Sequence, residues 1–530
     1  MLVKGMKSSM QVVADKKYIN GKIYTIRKEG EVYSAFCVKD GKFLKVGTEE
    51  ELQDIPAKEV IDLKGKCVVP GFIDCHQHAL EYAKTKAEVD LRGTKTKAEL
   101  LQRLADRAAV TKPGVWIKGS GFDHESFPDK AFPTAAELDQ VSSVNPIIIS
   151  RYCVHFHVAN TLAMKLAGIT DKPSGLLQES AVTPVMDQIP DMLPTDEEKK
   201  NAMEQAIAEM NSYGITGIHV TEATISKVKE YLNVYQDLEK EGRLSARVYF
   251  CPDDYPKFGM KTGFGNEKIR YGFYKMFVDG SLGPRTAALT EEYCDMPGNY
   301  GVMTNTLEQV KEKMQKAYDQ GLQIGIHAIG DKGIETAVTA MESCYQNDPQ
   351  RKEKDIRFRL IHGMCMRPDL IGRIKKLPII IDIQPGFTSN NNIWWSEDRL
   401  GAERVKYAYA WKTLIKNGIC LTGSSDTPVE HFSPMLGIYS VVCRQDRTGK
   451  PEGGWMPQER VSVYEAICMY TKNAAYASYE ENIKGTIEEG KLADYVVLEK
   501  NPFEVAGLEL KDIQVLETSL GGEIVYKQKK

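Results

Sequence analysis

The chain has 530 residues, and its 69 lysines and arginines against 73 aspartates and glutamates leave a net charge of −4. That balance argues against a polyanion-binding surface, so no nucleic-acid partner is expected. Hydrophobic residues at 42% and charged residues at 27% describe a chain that buries a sizeable core, and the length points to a large catalytic domain plus a smaller module.

No apolar run is long enough to span a bilayer, and residues 1–17 lack an apolar stretch of signal-peptide length. A cytoplasmic chain with no membrane partner is therefore expected. The 11 cysteines are odd in number and form no CxxC pair, which fits reduced, mostly buried thiols rather than a disulfide framework.

In chain order, strands are expected at 17–26, 32–38 and 42–46, with turns at 28–30 and 40–41. The first of eight β-rich runs that end abruptly in polar residues follows at 68–73, leading into 74–78. A connection far longer than a strand-to-helix loop needs comes next, with a strand-like piece at 146–151 and a helical one at 160–167, so it reads as an inserted subdomain. The remaining runs are 215–221, 246–251, 273–278, 323–327, 358–362, 379–384 and 419–421, alternating with helical patterns. Eight strands alternating with helices are the arithmetic of an α/β protein of the (β/α)8 TIM-barrel class, whose active site lies at the C-terminal ends of the strands. Strand-like segments return at 485–491, 495–498 and 522–527. Neither chain end has strands enough for a domain of its own. A small β-sandwich-like module built from both ends, 1–69 with 445–530 (including the terminal barrel helices), would flank a barrel of 70–444 with its insertion at about 90–205.

Polar residues at the strand ends carry the chemistry. His76 and His78 stand two apart at the end of the first run, and the period of two puts both on one face. Imidazole is a common metal ligand, and two on one strand make half a site if others converge. His327 and His362 end the fifth and sixth runs, and Asp426 follows the eighth. Packing alone does not account for five such residues on four strands of one barrel.

The runs VPGFIDCHQH (69–78), KMFVDGSLGPRTA (275–287), HAIGD (327–331), RLIHG (359–363) and GSSDTPVE (423–430) resemble the amidohydrolase superfamily, specifically its family 3, YtcJ-like branch. The resemblance extends to Arg399, Leu400, Gly401 and Arg404 and to the closing segment 485–498, and so covers nearly the whole chain. The branch includes N-substituted formamide deformylases. The resemblance implies His76, His78 and Asp426 on one metal, and His327 and His362 on a second or shared position. Lys275 matches the place where many relatives carry a carboxylated lysine bridging two metals; a desolvated lysine can lose its proton and add carbon dioxide. The alternative is a structural lysine paired to Asp279 or Glu222. One or two divalent metals per chain are implied, zinc foremost, although the ligand types also suit iron, manganese or nickel.

The implied chemistry is hydrolysis of a non-peptide C–N bond, an amide or formamide of a small organic molecule. The metal activates water and polarises the carbonyl, while Asp426 carries the proton to the leaving nitrogen. Asp426 could instead be a helix N-cap before Thr427-Pro428. The same site could serve a cyclic amidohydrolase or a deaminase, and a metal-free binding protein on the same barrel is a third reading. Candidate substrate contacts are Phe122 and Asp123, with Asp123 equally a turn former; His155, although Val154 stands where relatives show glycine; Arg285 with Asp279; and Trp394 and Trp395, read as a loop after the seventh strand. That aromatic pair would also suit an interface, and a homo-oligomer, a dimer first, is expected.

Overall fold

The computed structural model describes residues 12–151, 156–221, 228–253, 259–390 and 392–529. They fall into two compact units, Met1–His78 with Ile207–Lys530, and Ala79–Ala206.

The larger unit contains two parallel sheets. We label their long strands β1 (Phe72–Gln77), β2 (Ile215–Val220), β3 (Arg247–Phe250), β4 (Phe273–Phe277), β5 (Gln323–Ala328), β6 (Phe358–His362), β7 (Ile379–Ile383) and β8 (Cys420–Gly423). One sheet runs β1-β2-β3 and ends in the short strand Ile269–Tyr271; the other runs β4 to β8 in sequence order. Both β6 (FRLIH) and β7 (IIIDI) are buried throughout, as parallel strands covered on both faces must be. The edges of the two sheets meet twice. Gly272 N–H donates to Phe250 O (2.7 Å) and Lys275 N–H to Pro252 O (2.9 Å), while Asp426 N–H donates to His76 O and His78 N–H to Thr427 O (both 2.9 Å).

All eight expected runs are strands, with one division. The run 68–73 breaks at Gly71: Cys67–Pro70 joins a different sheet, and β1 begins one residue later. Gly71 has no room for a side chain, because a Cβ there would lie 2.3 Å from Thr216 Oγ1.

Cys67–Pro70 lies in a six-stranded sheet of order Glu523–Lys527, Val515–Leu520, Tyr495–Leu498, Cys67–Pro70, Lys22–Tyr24 and Val32–Tyr33, so strands from both chain ends pair directly. A four-stranded sheet comprises Lys42–Gly47, Ala35–Lys39, Ala14–Ile19 and Ala57–Asp62. Tyr18, Phe36 and Phe43 of the second sheet pack with Val68, Tyr495 and Val497 of the first in one apolar cluster. The segment 485–491 is not a strand. Gly485 (φ 92°) and Gly490 (φ 84°) turn the chain there, and the missing partner is supplied by Val515–Leu520.

The smaller unit has a five-stranded sheet of order Leu176–Gln178, Phe156–Ala159, Ile147–Arg151, Ile117–Phe122 and Val89–Asp90. Its helix Thr161–Leu166 is N-capped by Asn160, whose side chain accepts from Ala163 N–H. Leu100, Leu104, Phe122, Leu138 and Ile149 form its core.

Candidate metal centre

His76 comes from the end of β1, His362 from the last residue of β6, and Asp426 three residues beyond β8. Each offers one donor atom, and the three atoms lie within 4.8 Å of one another with all three residues buried. His76 Nε2 is 3.2 Å and His78 Nε2 3.3 Å from Asp426 Oδ1. Two of these ligand candidates have backbones that non-glycine residues seldom adopt, His362 at φ 75° and Asp426 at φ 59°. Such conformations persist where the surroundings enforce them, and they cluster at functional sites.

His362 is oriented from behind. Its Nδ1 lies 2.7 Å from Gln384 Oε1, while Gln384 Nε2 donates to Ser424 Oγ (3.0 Å) and Asp382 O (3.1 Å). The amide can therefore only accept from the ring, which puts the imidazole proton on Nδ1 and leaves the Nε2 lone pair for the cluster. Below the site, the fully buried Arg359 and Asp382 form an ion pair (2.7 Å), and Thr422 Oγ1 donates to the same carboxylate (2.6 Å).

Burial sets the protonation states. It pushes the imidazole pKa of His76 down to about 3 and that of His327 to about 4, and it holds His362 well below the ordinary range, so all three rings are neutral. Burial alone would raise Asp426, but hydrogen bonds from His76 and His78 overcome it and keep this carboxyl well below its usual value. Lys275, 3% exposed, is lowered by burial to about 7, and its Nζ lies 3.5 Å from His76 Nε2. Neutral imidazoles, an ionised carboxylate and a lysine able to shed its proton are the donor types a divalent transition metal takes, so the residues fit such an ion.

Other expected ligands stand beside this group. The His327 ring packs on His362 with centroids 4.4 Å apart, but its Nε2 faces Gly280 O at 3.1 Å. His78 touches Asp426 from the half-buried rim.

Several expected substrate contacts are otherwise engaged. Phe122 is fully buried in the core of the smaller unit rather than lining a pocket. Asp123 caps the short 3-10 helix His124–Ser126 and pairs with Arg151 (3.0 Å), the turn-forming alternative. Asp279 is buried and accepts backbone N–H groups from Ile329, Gly330 and Ala288, which uses both oxygens on the chain itself. Arg285 pairs with Asp295 (2.6 Å), not with Asp279. Trp394 and Trp395 lie on the helix Asn392–Arg404 rather than in a loop; Trp394 is 42% exposed, and the Arg399 guanidinium sits 4.4 Å over the Trp395 ring. His155 lies outside the described residues. Sequence reasoning missed Gln384, Asp74 and the Arg359–Asp382 pair, since the partners His362, Ser425 and Asp382 lie far off along the chain or on a neighbouring strand.

The amidohydrolase family model matches residues 59–526. This chain belongs to the amidohydrolase family. It is 31% identical to YtcJ of Bacillus subtilis over 96% of this chain and 98% of that one. It is 26% identical to the N-substituted formamide deformylase of Arthrobacter pascens over 98% of this chain and 99% of the relative. Among solved structures it resembles a metal-dependent hydrolase of Pyrococcus horikoshii at 30% identity and a TM-score of 0.76, covering 93% of this chain and 99% of that one.

Proposed function

We propose that this chain hydrolyses an amide or formamide bond of a small organic molecule, using a divalent metal held by His76, His362 and Asp426, with His78, His327 and Lys275 completing the set. The reaction class, metal-dependent hydrolysis of a C–N bond other than a peptide bond, follows from family membership and its relatives. The observation that carries the site is the convergence of three donors from β1, β6 and β8 within 4.8 Å, with the Lys275 amine beside them.

Bound there, the metal supplies Lewis acidity that makes water a stronger acid and withdraws charge from a carbonyl. Asp426 takes up the proton that water loses and delivers it to the leaving nitrogen; held ionised by its neighbours, it has a free site for that proton. Gln384 keeps the His362 lone pair turned inward. Lys275, able to be neutral near pH 7, would add carbon dioxide at Nζ with release of a proton, and the carbamate so formed would offer two anionic oxygens to the metal.

The same reading closes β1–β8 into a (β/α)8 barrel, supported by the backbone hydrogen bonds between β3 and β4 and beside β8 and β1. We assign the barrel to 70–444 with an insertion at about 90–205, and a composite module to 1–69 with 445–530. Among the described residues no helix is long and apolar enough to cross a membrane. We place the enzyme in the cytoplasm as a dimer, a state that light scattering on the purified chain checks.

The deciding experiment counts metals per chain by elemental mass analysis, on protein purified without chelator and with bicarbonate. Two equivalents, falling to one in Lys275→Ala, support the bridged pair, and amides and formamides are then screened. One equivalent removes the bridging role of Lys275. None, even after zinc is added, overturns the hydrolase site.

A further inference from the structure

The structure assigns Asp74 a role beyond its place in the strand: we infer that it is the positioning residue that holds Asp426 in its left-handed backbone, acting through Ser425. This inference rests on the reading of Asp426 as metal ligand and proton carrier.

Asp74 is 1% exposed on β1, two residues before His76. Its Oδ2 accepts from Ser425 Oγ–H at 2.5 Å, and its Oδ1 accepts from Ser425 N–H at 3.0 Å and from His76 N–H at 3.3 Å. One carboxylate thus grips the residue before Asp426 by both side chain and backbone, and on its other side reaches the backbone of His76. Two further bonds join the same segments, Asp426 N–H to His76 O and His78 N–H to Thr427 O. The segment 425–427 is tied to 74–78 at every step.

The tie has a physical purpose. An aspartate at φ 59° reverts readily to a right-handed or extended backbone unless its neighbours forbid it, and either change would swing the carboxylate away from His76 and His362. A buried carboxylate is costly compared with an apolar residue of similar size, and the hydrogen bonds it makes here go to Ser425 and His76, the neighbours of the ligands themselves. Ser425 Oγ then turns back to accept from Thr427 N–H (3.0 Å), extending the grip to the far side of Asp426.

The test is made on the full chain with zinc alone as probe. Zinc dissociation constants are measured by chelator competition for the wild type, Ser425→Ala, Asp74→Asn, Asp74→Ala and the Asp74→Ala/Ser425→Ala double variant. Thermal unfolding of the metal-free proteins and the visible absorption of the cobalt-substituted ones are recorded alongside. A positioning role gives zinc binding about 10–100-fold weaker in Ser425→Ala and Asp74→Ala, a double variant no worse than Asp74→Ala, and an altered cobalt spectrum. Asp74→Asn, which keeps one acceptor, falls between. Wild-type affinity and spectrum in Ser425→Ala and Asp74→Asn, with lowered unfolding temperatures alone, would reduce Asp74 to a structural tie and overturn the inference. Should Asp74→Ala not fold, the milder Ser425→Ala decides. A wild-type chain that takes no zinc instead overturns the metal-site reading on which the inference stands.

Discussion

Asp426 is buried, and a buried carboxyl would ordinarily hold its proton; two imidazoles within 3.3 Å reverse that preference. The consequence is a base that is ionised at neutral pH in a place where water is scarce. Asp426→Asn keeps the size and one potential ligand oxygen but cannot take a proton. We expect it to lower kcat by orders of magnitude while zinc is still retained, and near-normal turnover would rule out Asp426 as the proton carrier. A second prediction concerns pH. Burial lowers His76 to about 3, His327 to about 4, and His219 and His362 well below 6.5, so the unfolded chain binds protons near pH 6.5 that the folded chain refuses. Their stabilising effect is complete above that pH and is lost as the pH falls toward the folded values. Asp74 and Asp279, raised to about 7 by burial, oppose this, because their contribution is present below about 4 and fades as the pH rises through 7. His124 is lowered by burial as well and Asp382 raised by it, so five imidazoles stand against three carboxyls. The metal-free protein should therefore lose stability from pH 6.5 to 4, with a shallower slope in His327→Gln. Urea midpoints at several pH values test this, and equal slopes in the two proteins would contradict it. His76, His78 and Asp426 were legible in the sequence because strand period and strand ends are local signals. Gln384, whose partner His362 lies on the neighbouring strand, and Arg285, whose partner Asp295 lies beyond a turn, were not; a carboxylate or amide in sequence does not announce its partner.

At the level of elements, the strands reveal themselves by apolar runs that stop in polar residues, and each of the eight was found. Where the reading failed, the cause was a glycine, a hidden face or a polar helix start. Gly71 divided one run between two sheets, positive-φ glycines stopped 485–491 from extending, and the helix carrying Trp394 and Trp395 looked like a loop because its start is rich in asparagine. Phe122 looked like a mouth residue, but it ends a strand whose other face is core. Gly330 lies where β5 hands over to the helix Asp331–Asn347, and a Cβ there would fall 2.0 Å from the Ala288 carbonyl oxygen. Its N–H also donates to Asp279. Gly330→Ala must push the 279–303 segment away from the helix start, and a loss of about 1–3 kcal/mol is expected. Urea denaturation reads it, and an unchanged midpoint would show that the segment yields freely.

Across the whole of the larger unit, the six-stranded sheet and the parallel strands are joined by a buried ion pair. Arg247 on β3 meets Asp494 through two hydrogen bonds of 2.7 and 2.9 Å, and Gly521 N–H reaches the same carboxylate (2.7 Å). Removing one partner strands the other charge without solvent, so Asp494→Ala should cost about 3–5 kcal/mol in chemical denaturation, while the Arg247→Met/Asp494→Leu pair should cost much less. A double variant as damaged as the single would show that packing, not charge, holds this junction. That strands near both ends of the chain belong together was legible, and they share one sheet. This ion pair was not, because nothing in the sequence connects positions 247 and 494.

The pairing of Cys67–Pro70 with Tyr495–Leu498 also fixes an order of events during synthesis. When β1, with His76 on it and His78 just beyond it, leaves the ribosome, the strand immediately before it has an open edge whose partner has not yet been translated. That edge stays without this partner until residues 495–498 have been made. β1 therefore gains this neighbouring support only after β2 to β8 have all been made.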